Sequence, residues 1–197
     1  MFRVSLNLLL GLFIAVIANT GKTIGLFEVG VSANYKKSFL DEDAFDETQS
    51  YTGSVTYYFG KQSALELSFT NGQSLRFVPS DSDTLRTTYK YTVLGADLVI
   101  TFAERNAPFI PYLKLGGAYF NEKKLTYEFE DSNGLVFDRE TINLDQALVP
   151  STGLGVKFRV TDSFLIKIGL EGWVSRPLNE KPLRIDYSGR AGLSWFL

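Results

Sequence analysis

The 197-residue chain contains no cysteine and no histidine. The first absence excludes a disulfide framework, a thiolate nucleophile and a lipid-bearing cysteine near the N-terminus. The second excludes serine–histidine hydrolysis and imidazole metal sites. A dominant charge is missing too: 20 Lys+Arg stand against 22 Asp+Glu, which leaves no electrostatic basis for binding nucleic acid. Linkers rich in Pro, Gly or Ser are absent, so a single domain is expected. No stretch after the first two dozen residues repeats its apolar positions at helical spacing, so helices should be scarce.

The one long apolar run opens the chain. MFRVSLNLLLGLFIAVIANTGKT carries a positive charge at Arg3, apolar residues from Leu6 to Ile17, then small residues. About a dozen apolar residues are too few to cross a membrane as a helix but suit a secretory signal peptide. Ala18, with Val16 two positions before it, is the expected cleavage position. Residues 1–18 then form the signal and 19–197 the mature domain; a retained anchor or a buried core helix is the alternative.

What the chain has in excess is aromatic: 16 Phe and 10 Tyr bring aromatics to 14%. They sit in segments of alternating polarity. In DYSGRAGLSWFL at the C-terminus, Tyr187, Gly189, Ala191, Leu193, Trp195 and Leu197 take one side and Asp186, Ser188, Arg190, Gly192 and Ser194 the other, with Phe196 breaking the division. Successive side chains of a strand point to opposite faces, so this is a strand with one apolar face. The same period of two runs through GLFEVGVSANYKKSF, SYTGSVTYYFG, ALELSFTNG, YTVLGADLVITF, PYLKLGGAYF, STGLGVKFRV and FLIKIGLEGW, giving eight strands. Thr87 to Thr92 fit the fourth strand's register poorly, as a bulge would cause. Connections alternate: Gly60–Ser63, Ala103–Phe109 and Thr161–Ser163 are short, while the regions around 40–49, 71–86, 121–150 and 175–183 are long. Within 121–150 two strands meet at Ser132-Asn133-Gly134.

An even number of such strands, with short turns at one end and long loops at the other, predicts an all-β, eight-stranded antiparallel up-and-down transmembrane barrel. A sheet can span lipid only when closed, so the last strand should pair with the first. Tyr35, Tyr51, Tyr57, Phe59, Phe102, Tyr119, Phe158, Phe164, Tyr187 and Trp195 lie toward strand ends, where interface girdles belong. The pattern resembles the small outer-membrane barrels of the OmpA, OmpX and OmpW kind over nearly all of the mature chain. That resemblance implies a cell outer-membrane location in a Gram-negative bacterium, contact with outer-membrane lipid and lipopolysaccharide, and a monomer. It also implies that Tyr187, Leu193, Trp195, Phe196 and Leu197 are read by the barrel-assembly machinery. Such signals typically end on Phe, whereas here Phe196 stands one place early.

Glu28, Lys36, Glu66, Asp97, Lys114, Lys157, Lys167, Glu171 and Arg190 fall on the polar face, which a barrel turns inward. Eight strands leave an interior just wide enough for side chains, so opposite charges should pair into a plug; a narrow gated path is the functional alternative. Glycines 30, 53, 95, 116, 155, 169 and 192 are expected to relieve crowding or allow coiling. Glu66 and Glu171 could meet as paired carboxylates, with a salt-bridged role the stronger reading. No catalytic residue, cofactor or metal centre is assigned. DEDAFDE, Asp41 to Glu47, could gather a divalent cation, though a solvated loop explains it as well. The 121–150 hairpin, with Leu125, Tyr127, Phe129, Leu135 and Phe137, offers an edge and apolar patches to an extracellular partner.

Three functions remain open to the sequence. The first is a structural or adhesion-like surface role with a plugged lumen and long extracellular loops. The second is a narrow OmpW-like channel for small or apolar solutes. The third is a soluble periplasmic lipocalin-like barrel, which would turn its apolar faces inward around a ligand.

Overall fold

The computed structural model describes residues 26–39, 44–79, 83–131, 136–143, 146–174 and 185–197. Every regular element in them is a strand: β1 (Phe27–Phe39), β2 (Phe45–Tyr58), β3 (Ser63–Pro79), β4 (Asp83–Thr101), β5 (Phe109–Asp131), β6 (Val136–Asn143), β7 (Ala147–Arg159), β8 (Phe164–Val174) and β9 (Ile185–Phe196). All pairs are antiparallel. β6 and β7 lie end to end along β5, so the nine strands fill eight positions. β9 pairs with β1 and β4 with β5, which closes the sheet into a barrel. At the seam, Val29 faces Trp195 and Tyr35 faces Gly189, and the Leu197 N–H donates to the Phe27 carbonyl at 2.9 Å.

The two faces separate by chemistry. Val31, Val55, Leu67, Leu98, Leu115, Leu154, Ile168 and Leu193 are exposed on the outer wall, while Glu28, Glu66, Lys157 and Lys167 are buried inside. A continuous apolar outer wall around a charged interior is what a hydrocarbon solvent demands and what water would penalise. This overturns the soluble lipocalin-like alternative, whose apolar residues would face the lumen.

Three short turns, 59–62, 102–108 and 160–163, share one end of the barrel with the start of β1 and the end of β9. Each is tied by backbone bonds, such as Thr101 N–H to the Gln62 carbonyl at 2.8 Å and Val160 N–H to the Phe164 carbonyl at 2.9 Å. The opposite end departs from the expectation of long loops. β3 runs to Pro79 and β4 starts at Asp83, and β1 and β2 are separated only by 40–44. Most of the residues read as loop are paired strand. β5, at 23 residues, is about twice the 9–11 residues a tilted strand needs to cross. Beyond the bilayer water accepts polar side chains on both faces, so the alternation that reveals a spanning strand fades. Thr- and Tyr-rich stretches such as Thr84–Thr92 keep their strand propensity all the same.

The irregularity expected in β4 is present at that height but lies on its neighbour. Thr92 pairs with Glu122 and Val93 with Phe120, which leaves Asn121 of β5 as the extra residue.

Candidate functional site in the barrel lumen

The barrel interior is stacked in layers. At the short-turn end Tyr58, Val99, Ile110, Tyr112, Leu165 and Phe196 pack together, each no more than 3% exposed. Phe196, the residue that breaks the C-terminal alternation, turns inward here, its ring 5.6 Å from that of Tyr58. Its mismatch with the outward set is thus a position in the floor of the lumen. A phenol crosses the wall above: Tyr112 lies over Gly155 and Gly169, which face each other on β7 and β8. A Cβ on either glycine would come within 2.6–2.8 Å of its hydroxyl. Bare glycines make the slot an aromatic ring fills.

Above this floor, strand pairing alone would set like charges side by side. Lys157 of β7 faces Lys167 of β8, and Glu66 of β3 faces Asp97 of β4. Direct like-charge neighbours destabilise a sheet. Closure brings opposite charges to both lysines and to Glu66. Glu28 reaches across from β1 to Lys157 at 2.7 Å and to Lys167 at 3.2 Å. Lys167 also reaches Glu66 at 3.3 Å, and the Tyr58 hydroxyl donates to Glu28. Lys114 of β5 stands between Glu66 and Glu171, its Nζ 2.5 Å from an oxygen of each. Arg190 of β9 pairs with Glu171 and donates to the Ser32 hydroxyl at 2.6 Å. Asp97 accepts from Ser151 at 2.6 Å.

Seven of the nine polar-face residues thus join one ion-paired network of three acids and four bases, and an eighth, Asp97, lies beside it on the Ser151 hydroxyl. The ninth, Lys36, lies higher, its Nζ 5.2 Å from the Tyr187 ring centroid. Glu66 and Glu171 do meet, but through a lysine, so neither is free to act as an acid–base partner of the other. Gly116 serves close approach: a Cβ there would lie 2.1 Å from the Ala96 carbonyl. Gly53 does not, since nothing lies within 4 Å of its Cβ position on the outer wall.

A second apolar layer covers the charges. Tyr91, Val93, Ala118, Phe120 and Val149 are buried together, with Tyr89 and Trp173 against them. The rings of Tyr91, Phe120 and Trp173 lie 6.0–6.4 Å apart, tilted or edge to face. Tyr91 fits because Gly72 faces it: a Cβ there would sit 2.3 Å from its ring. Above this layer opens a cup of about 120 Å³, walled by Lys36, Asp46, Thr48, Ser74 and Ser188. A smaller cavity of about 30 Å³ lies below, against Asp97, Lys114 and Glu171. Trp173 lines both. Polarity alternation assigned these aromatics no role, because beyond the membrane their strands lose it; the pairing of Gly72 with Tyr91 was the available signal.

Of the remaining sequence-derived positions, Tyr187 is exposed at the rim of the cup and Leu193 on the outer wall, and Trp195 packs its ring 5.2 Å from Phe164. Residues 1–18, Asp41–Asp43, and Leu135 lie outside the described residues. Asp46, from the acidic run, accepts from Ser74 at 3.0 Å and pairs with Arg76 at 3.2 Å. Among the described residues no group of three or more acidic side chains could hold a metal ion. Leu125, Tyr127 and Phe129 are half-buried on β5, facing Ile142, Glu140 and Asp138 of β6.

No family model matches the chain, and no curated protein matches it. Solved structures do. The N-terminal β-barrel domain of Pseudomonas aeruginosa OprF is similar with a TM-score of 0.53 at 17% identity, over 86% of this chain and 97% of that one. Neisserial surface protein A, NspA, gives 0.56 at 13% identity, over 87% and 96%. Ail, the attachment invasion locus protein of Yersinia pestis, gives 0.52 at 16% identity, over 88% and 99%. At such identities the likeness concerns architecture, and together with the closed sheet, the apolar outer wall and the charged lumen it gives one conclusion: this chain has the fold of the small eight-stranded outer-membrane β-barrels.

Proposed function

We propose that the protein resides in the cell outer membrane after export on its 1–18 signal peptide, and that it works at the surface in a structural or adhesion-like role. The observation that carries this reading is the lumen: among the described residues, two apolar layers with a charged network between them fill it. The ribbons that outrun the membrane supply the working surface. Among the described residues β6 pairs with β5 alone, so the 121–150 hairpin offers an edge to which an extended partner segment could add. The short turns, the start of β1 and the end of β9 face the periplasm, where Tyr187, Leu193, Trp195, Phe196 and Leu197 are available to the assembly machinery. Outer-membrane lipid and lipopolysaccharide surround a monomer. No enzymatic role is assigned.

A narrow OmpW-like channel is the second reading, favoured by one observation: Trp173 lines both the cup and the cavity beside Lys114. Fractionation with electrophoresis of boiled and unboiled samples tests the first part of the proposal. An outer-membrane band whose unboiled form migrates differently is expected, and recovery in the soluble periplasm would defeat it. Planar-bilayer recording tests the second part. No steady conductance is expected, and reproducible single-channel steps would transfer the assignment to the channel.

A further inference from the structure

The geometry points to the cup above the aromatic layer as a binding site for a single sugar ring, a specific ligand site beyond the surface role proposed above. Its floor offers apolar ring surface from Tyr91, Phe120 and Trp173, with Tyr89 stacked on Tyr91 at 5.4 Å. Its walls carry the hydroxyls of Thr48, Ser74 and Ser188; Thr48 donates to Ser74 at 3.0 Å, and both oxygens keep lone pairs that can accept from a ligand. Aromatic surface beneath convergent polar groups is the general make-up of small-ligand sites.

The charges narrow the ligand. Asp46 is taken by Ser74 and Arg76, and Lys36 rests over the Tyr187 ring. A free ammonium would compete with the Arg76 guanidinium, and an apolar solute would strip water from Lys36 and Asp46 without replacing it. A neutral ring bearing hydroxyls satisfies both, with its C–H face on the aromatics.

A second observation lies one rung below. Lys36 and Thr48 are cross-strand partners on the cup wall, and Asn34 and Ser50 are the next inward pair beneath them. Asn34 is 4% exposed, yet both its amide atoms and the Ser50 hydroxyl lack a hydrogen-bond partner. Buried polar groups are normally satisfied by protein or water. Neither residue lines the cup itself, so a ligand hydroxyl would reach them through a bridging water.

The chain has two tryptophans, so Trp195→Phe leaves Trp173 as the sole indole reporter. The full chain, folded in detergent micelles and checked by heat-modifiable migration, is titrated with glucose and, separately, with glycine. A saturable change in Trp173 emission with glucose, half-complete at about millimolar concentration, and none with glycine is expected. Asn34→Ala should weaken it about five-fold. Should Trp195→Phe fail to fold, wild type is compared with Trp173→Phe by calorimetry, with glucose heats expected in the first and reduced in the second. The inference is overturned by no saturable response, by an equal response to glycine, or by one that Asn34→Ala leaves unchanged. Neither result depends on where the protein resides, so a failure here leaves the surface role standing.

Discussion

At the scale of single residues the lumen is a problem in neutralisation. Glu66 is fully buried and contacts Lys114 and Lys167, with Arg190 at 4.0 Å. Glu66→Gln removes one charge and leaves Lys114, Lys167 and Arg190 each with one carboxylate fewer. Breaking a buried ion pair from one side typically costs about 3–5 kcal/mol. Urea unfolding of the folded barrel in micelles should register a loss of that order. Pairing the change with Lys167→Met should recover part of it, because residues of one network are not additive. Glycines divide by what they touch. Gly116→Ala drives a Cβ into the Ala96 carbonyl and should cost about 1–3 kcal/mol in the same assay. Gly53→Ala, with open space around it, should stay within about 0.5 kcal/mol. Equal costs at the two positions would show that crowding does not explain Gly116.

At the scale of elements, Asn121 decides which side of the upper hairpin looks outward. Below it Tyr119 faces out and Phe120 in; above it, the extra residue leaves Lys124 outward and Leu125 inward. A strand's side-chain period is two, so a slip of one residue exchanges faces. Deleting Asn121 should turn Leu125, Tyr127 and Phe129 outward into water and Lys124 inward. The expected result is a barrel that still shows heat-modifiable migration but a hairpin cut faster by protease; an unchanged cleavage pattern would argue against the bulge as the register switch. The sequence showed an irregularity at this height, and two strands within 121–150 that pair as β5 and β6; the turn read at 132–134 lies outside the described residues. It could not assign the extra residue to β5, because outside hydrocarbon either register leaves polar groups acceptably solvated. For the same reason the ribbons read as loops.

At the scale of the whole molecule, closure and plugging make one prediction. Removing the upper partition, as in Trp173→Ala with Tyr91→Ala, should leave conductance absent, since the charge network and the floor around Phe196 still seal the lumen. Steady current in that variant would mean that the aromatic layer is the only barrier. Alternation alone determined the spanning strands, their order and the division of their residues into an apolar and a polar face, because a two-residue period maps directly onto two faces; the closed sheet decided that the polar face looks inward. It also placed the seven members of the charge network, and Asp97 beside them, on the polar face. Which charge meets which was decided only by closure: Lys157 beside Lys167 and Glu66 beside Asp97 are repulsive along the sheet. They become tolerable only when curvature brings β1 and β3 across to β5, β7 and β8, and β9 round to β1. The cup is of the same kind. Its aromatics come from β4, β5 and β8, and only the tertiary fold sets them over one another, since no local pattern reports a contact across a lumen.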